Sequence, residues 1–209
     1  MNSIIASQIN GGNGTKARRA FDFYPTPPEV TVALVRFLRL GGGLCVWEPA
    51  CGDGDMVRAL ETCGLTVYGT DIRAGQDFLT RTHPDGVYKP YNWIITNPPF
   101  AQSEEFIRHA AQIGKPFALL LKSQYWHAAK RIQLFRDIPP SFVMPLTWRP
   151  DFLFKEHEKK ASPLMDMMWC VWLMPQNRYI QTSYIPLDKP QKEATTHELL
   201  PTLRRENGG

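Results

Sequence analysis

Short apolar runs alternate with amphipathic stretches through the middle of the chain, and that alternation restricts the fold more than any other feature. The apolar runs at 44–47, 65–70, 93–96, 117–121, 142–146 and 168–174 have the length of strands. Between them lie stretches with helical spacing. Pro27 opens one with apolar residues at 30, 34, 35 and 38, and Gly41-Gly42-Gly43 reads as its stop. Asp53 to Thr62 follows a glycine-bearing turn. Ser103 reads as the cap of a helix through Gln112, with Glu104 and Glu105 in its first turn. Residues 126–136 read as a basic helix. Strands alternating with helices predict an α/β domain with a largely parallel sheet. The core runs over about 21–174. Residues 1–20, with Gly11-Gly12-Asn13-Gly14 and three basic side chains, read as a flexible basic arm, and the proline-rich, polar stretch 175–209 as a weakly structured tail.

Composition narrows the class. Of 209 residues, 43% are apolar and 21% charged, which suits a globular chain and excludes disordered, collagen-like and disulfide-scaffold classes. No apolar run approaches the ~18 residues of a membrane span. The N-terminal ten residues do not read as a secretory signal, so a cytoplasmic location is expected. Cys45, Cys51, Cys63 and Cys170 form no C-x-x-C, and the five histidines have no ligand spacing, so no metal site is expected and the thiols read as reduced. The net charge of +4 is segregated: residues 1–20 carry +3 and residues 101–160 carry +4, which leaves −3 for the rest. Such segregation leans toward a polyanionic partner.

The first apolar run leads into Glu48-Pro49-Ala50-Cys51-Gly52-Asp53-Gly54. A strand, a glycine turn and a helix in that order place a ligand at the carboxyl end of the sheet. The dinucleotide fingerprint fails, because Val57 stands at its third glycine position. Glu48 at the strand end suits a cationic ligand better than a pyrophosphate. S-adenosylmethionine, with a sulfonium and an ammonium but no phosphate, is such a ligand. Asp71 closes the second strand, where an acid can accept ribose hydroxyls, and Asp77-Phe78 can meet an adenine amine and ring.

Asn97-Pro98-Pro99-Phe100 follows the third strand. Two prolines fix φ and cannot donate ladder hydrogen bonds, so they make a stiff exit from the sheet. The Asn97 amide oxygen and the Pro98 carbonyl can accept both hydrogens of a planar exocyclic amine, and Phe100 can stack on the ring that bears it. Accepting those hydrogens draws the amine lone pair toward an incoming methyl group. This is catalysis by positioning and preorganised electrostatics, without a strong general base.

Together these residues resemble the DNA adenine-N6 methyltransferases, an amino-methyltransferase family with an N-P-P-F motif, in a compact form like those of phages and prophages. The resemblance covers about 21–174. It implies a Rossmann-like, seven-stranded, mostly parallel sheet of the class I methyltransferase type, in a single domain. It implies that Tyr24, Thr26 and Pro27 belong to a cofactor motif whose Thr26-Pro27 turn holds the methionine carboxylate. Glu48, Ala50, Gly52 and Gly54 are then the cofactor loop, Asp71 with Ile72 and Asp77 with Phe78 the ribose and adenine contacts, and Asn97, Pro98 and Phe100 the catalytic motif. Lys122 and Trp126 fall in a strand and turn bordering the target pocket, and Trp148-Arg149 in a loop that can pack on a flipped base. An Asn at position 97 resembles the adenine-directed enzymes. Only 42 residues separate Gly54 from Asn97, so no recognition domain is inserted there.

The expected reaction is methyl transfer from S-adenosylmethionine to the N6 amine of adenine in DNA. The adenine must be flipped from a duplex or single-stranded. Lys130, Arg131, Arg149, Lys159 and Lys160 are candidate phosphate contacts. Two alternatives stay open: a methyltransferase acting on an RNA base or a protein glutamine amide, whose amines are also planar, and a nucleic-acid-binding protein that keeps the fold without turnover.

Overall fold

The computed structural model describes residues 24–84, 90–152, 165–175 and 181–191. The proposed arm 1–20 lies outside them, as do Lys159, Lys160 and most of the proposed tail.

Seven strands form one sheet in the order β2-β1-β3-β4-β6-β5-β7. They are β1 (Cys45–Glu48), β2 (Thr66–Gly69), β3 (Trp93–Thr96), β4 (Phe117–Lys122), β5 (Phe142–Pro145), β6 (Met167–Trp172) and β7 (Ser183–Tyr184). Strands β1 to β4 pair parallel. β6 enters antiparallel between β4 and β5, so it alone runs against the other six. β3 and β6 are buried along their whole length, and β4 for its first five residues. That explains their unbroken apolar runs, because a strand covered on both faces has no polar side to present.

Alternate side chains of the strands feed two separate cores. Val46, Ile95, Leu120, Trp169 and Val171 pack with Val30, Leu34, Met56 and Leu60 on one face. Trp47, Ile94, Phe117, Leu119 and Trp172 pack with Phe106, Ile107, Ala110 and Leu134 on the other. Helices α1 (Pro28–Leu38) and α2 (Asp55–Thr62) therefore cover one face, and α3 (Ser103–Ile113) and α4 (Ile132–Asp137) the other. The buried Trp169 indole donates from Nε1 to the Val30 carbonyl at 3.0 Å, tying β6 to α1 across 139 positions.

Several local expectations are corrected. α1 ends at Leu38, where the sequence places it, but its stop is Arg39, which takes a left-handed φ of 51°, and not the glycines beyond. Ser103 is the first residue of α3 and not its cap; its hydroxyl donates back to the Phe100 carbonyl at 3.1 Å. The helix over 126–136 shrinks to α4. Before it, 3-10 turns at Ser123–Tyr125 and Ala129–Arg131 fold the chain back, and the Arg131 guanidinium lies 3.5 Å over the Tyr125 ring. The tail is not weakly structured throughout. β7 pairs parallel with β5, and Leu187 bridges Leu146. Pro186 is compatible with that edge, where a strand needs no donor on its outer side.

Gly69 closes β2 where the sheet meets the loop after β1. A Cβ there would stand 3.0 Å from the Val57 Cγ2 and 3.2 Å from the Cys51 Cβ. Gly69→Ala is expected to cost about 1–3 kcal/mol by overpacking, read as a lowered thermal midpoint.

Candidate active site at the ends of the first three strands

The strand order reverses direction at β1 and β3, and a crevice opens beyond the carboxyl ends of β1, β2 and β3. It is a cavity of about 790 Å³. Of the residues expected to bind a cofactor, Tyr24, Thr26, Glu48, Ala50, Asp71, Ile72, Asp77, Phe78 and Asn97 line it. Pro27, Gly52 and Gly54 are not among its lining residues; the two glycines shape the loop instead. Both have positive φ, 54° and 80°, and the Gly54 amide closes the turn on the Cys51 carbonyl at 2.8 Å. Left-handed backbone of this kind is where glycine carries least strain.

Glu48 ends β1 with its side chain 1% exposed. One carboxylate oxygen accepts from the Ala50 amide at 3.0 Å and from the Thr96 hydroxyl. No ion pair reaches it among the described residues. Burial pushes its carboxyl up to about 8, opposed by these two hydrogen bonds and aided by the charge of Asp71. An apolar setting disfavours the charged form until a cation arrives.

Asp71 is already engaged by the loop. Its Oδ2 accepts from the Gly52 amide at 2.8 Å, and its Oδ1 from the Arg73 amide at 2.9 Å and the Arg73 guanidinium at 3.0 Å. Arg73 also reaches Asp53 at 3.2 Å, strapping the glycine loop to the turn after β2. Sequence reasoning missed Arg73 and Asp55, both of which line the cavity. The available signal was position alone, two residues past Asp71 and one past Gly54. Asp77 Oδ1 caps the turn Phe78–Thr80 through the Leu79 amide at 3.0 Å. Phe78 is buried against Trp47 and Phe106, so only part of it meets the cavity.

Asn97 leaves β3 into the cavity wall. Its Nδ2 donates to the Thr26 hydroxyl at 3.1 Å and to the Tyr24 carbonyl at 3.4 Å. Its Oδ1 is buried with no hydrogen-bond partner. A buried acceptor left unpaired costs free energy, and such an atom in a cavity-lining residue marks where a ligand hydrogen belongs. Pro98 and Phe100 are not among the lining residues. Phe100 sits just beyond, its ring 5.6 Å from that of Tyr24 and 4.3 Å from the Lys122 Nζ.

The other expected substrate contacts lie outside the cavity. Trp126 packs its ring 4.3 Å from Phe135. Trp148 is half-buried against the core, with its indole nitrogen unpartnered. Lys130 is exposed, Arg131 covers Tyr125, and Arg149 pairs with Asp166 at 2.7 Å. The Cys51 thiol in the cavity is pushed up to about 11 by burial, which makes it a poor nucleophile at neutral pH. Among the described residues no cluster of three metal-ligating side chains occurs, and no helix is long and apolar enough to cross a membrane.

No family model matches the chain, and no curated protein matches it. Solved structures do. A methyltransferase subunit of a type I restriction-modification system from Streptococcus thermophilus superposes with a TM-score of 0.57 at 12% identity, covering 78% of this chain and 47% of that one. A modification subunit of a putative type I restriction enzyme from Vibrio vulnificus gives 0.52 at 12% identity, covering 92% and 51%. A 23S rRNA methyltransferase gives 0.51 at 14% identity, covering 75% and 72%. The chain spans about half the length of the two modification subunits. At these identities the likeness is one of fold: a seven-stranded, mostly parallel sheet of the class I methyltransferase type in one domain.

Proposed function

We propose that this chain transfers a methyl group from S-adenosylmethionine to the N6 amine of adenine in DNA. The observation that carries the reading is Asn97, anchored through its NH2 and left with a buried, unpartnered oxygen at the cavity. The residues present fit the cofactor. A cavity of about 790 Å³ falls among small-molecule sites of roughly 300–1,000 Å³. It offers one buried carboxylate without a counter-charge, Glu48, and a second acid, Asp71, at the end of β2. Glu48 would meet the ligand's positive charge, Asp71 the ribose, Asp77 and Phe78 the adenine end, and the Thr26 hydroxyl the carboxylate.

S-adenosylmethionine supplies, when bound, an electrophilic methyl group on a sulfonium. Asn97 Oδ1 and the Pro98 carbonyl accept the two hydrogens of the target amine and turn its lone pair out of the ring. With the cofactor bound, the nitrogen so presented would accept that methyl group as the carbon–sulfur bond breaks, giving a neutral sulfide and a cationic amine. That amine is acidic enough to lose its extra proton to water. Phe100, beside Tyr24 and Lys122, is the candidate stacking partner for the base, a contact worth roughly 1–3 kcal/mol on single strands.

The test incubates the protein with labelled S-adenosylmethionine and unmethylated DNA, digests to nucleosides and identifies the product by mass. N6-methyladenine supports the reading. Product only from RNA or from a glutamine amide, or cofactor binding without any transfer, replaces it with one of the alternatives. Among the described residues, Lys130 is an exposed phosphate candidate. Lys130→Ala is expected to flatten the log–log dependence of DNA affinity on salt by about 0.7–0.9. An unchanged slope removes Lys130 from the interface.

A further inference from the structure

We propose that Thr26 and the Tyr24 carbonyl form a lock on the Asn97 carboxamide, and that this lock makes the site select targets bearing an amine over targets bearing a carbonyl. The inference rests on the role given to Asn97 above. A carboxamide has two ends of nearly equal size and opposite hydrogen-bonding character. Unrestrained, it can turn over and offer a donor where an acceptor is needed. The Tyr24 carbonyl can only accept, so only the NH2 end of Asn97 can face it, at 3.4 Å. The Thr26 hydroxyl, 4% exposed, takes the same NH2 at 3.1 Å. Turning the amide over would bring its oxygen against the Tyr24 carbonyl oxygen, two acceptors with no hydrogen between them. Oδ1, buried and unpaired, is thus the end left for a ligand.

An acceptor fixed in this way is complementary to an exocyclic amine. It is repelled by the carbonyl that hypoxanthine carries where adenine carries its amine. Thr26 therefore acts as a positioning residue, contributed from 71 positions upstream of Asn97. Its hydroxyl hydrogen stays available to the cavity that Thr26 also lines.

The experiment compares the full-length protein with Thr26→Val, which keeps the shape and removes the acceptor, and Thr26→Ser, which keeps it. Three quantities are read, all at saturating S-adenosylmethionine because Thr26→Val also removes the hydroxyl that would meet the cofactor carboxylate: kcat and KM for methyl transfer to an adenine-containing single-stranded DNA, inhibition by the same DNA with hypoxanthine in place of adenine, and melting temperature. Thr26→Val is expected to lose at least about tenfold in kcat with little change in KM, as misplacement of a reacting group does. The hypoxanthine DNA should become a relatively better competitor of that variant, and Thr26→Ser should restore both properties. A Thr26→Val enzyme with wild-type kcat and wild-type discrimination overturns the lock, as does equal loss in Thr26→Ser. If Thr26→Val does not fold, Thr26→Ala is read in its place. If the wild type methylates no DNA, the proposed function fails on its own. The lock is then judged by the Asn97 side-chain NH2 signal in a 15N spectrum, identified by its absence in Asn97→Asp. Movement of that signal in Thr26→Val but not in Thr26→Ser supports the lock, and no movement overturns it.

Discussion

Asn97→Ala is expected to cut methyl transfer by about 10²–10³ in kcat while the cavity still binds cofactor. The substitution removes a buried side-chain acceptor, Asn97 Oδ1, that has no partner among the described residues and belongs to a cavity-lining residue. Removing a single preorganised polar group of this kind typically costs about 10²–10³ in kcat. The remaining lining groups, Glu48, Asp71, Asp77 and Phe78, keep their own hydrogen bonds and packing. Affinity for S-adenosylhomocysteine, measured by calorimetry, should therefore stay near the wild-type value. Some stability is lost, because the Thr26 hydroxyl and the Tyr24 carbonyl lose their donor. Parallel loss of binding and transfer would mean that Asn97 holds the cavity together and that its catalytic assignment is wrong.

Glu48 carries the second large effect. Its carboxyl is held up to about 8 chiefly by burial, so at pH 7 most molecules carry it protonated. A ligand with a positive charge binds the ionised form better, and binding therefore releases a proton. Cofactor affinity should rise as pH goes from 6 toward 8, by up to about tenfold per pH unit, and level off above the raised value. Glu48→Gln keeps the shape but cannot ionise. It should bind the cofactor more weakly, by about 3–5 kcal/mol if the pair is fully desolvated, and with no pH dependence from this position. A wild-type affinity that is flat between pH 6 and 9 would remove Glu48 from the cation site.

The same shift has a consequence for stability. The folded value is raised above the unfolded one, so folding takes up a proton between about 4.5 and 8. The contribution of Glu48 is most favourable below the unfolded value. It declines as pH rises toward 8 and is constant above that. Glu48→Gln should therefore be more stable than the wild type at pH 9, with the gap closing at pH 5, as read by thermal melting of the ligand-free protein.

The parts of this site that lie close together along the chain were legible before the fold was known. Glu48, Asp71 and Asn97 each end an apolar run, and a parallel sheet brings such ends to one edge. The Asn97–Thr26 bond was not legible, because 71 residues separate its partners and Thr26 stood out only for a different task. Arg73 was hidden because an arginine after a strand has many possible partners; only the folded loop shows it joining Asp71 to Asp53. The basic helix expected over 126–136 is real only from Ile132, because the 3-10 turn Ala129–Arg131 precedes it and Trp126 packs back on Phe135. β7 was missed because two residues carry no periodicity; its pairing with Phe142 and Val143 is what makes it a strand.

The place of β6 bears on how the molecule is made. The strands that build the cavity leave the ribosome first, and β4, with five fully buried residues, follows. Its neighbour on one side, β6, is synthesised about 45 residues later and must insert between β4 and β5. Until then β4 presents an unpaired edge that is apolar from Phe117 to Leu121, the kind of segment that recruits other chains. The nascent protein is therefore most vulnerable to association after its cavity-forming half is complete and before Met167–Trp172 emerges. A destabilised β6 should be felt first as lower soluble yield, with the specific activity of the molecules that do fold left intact.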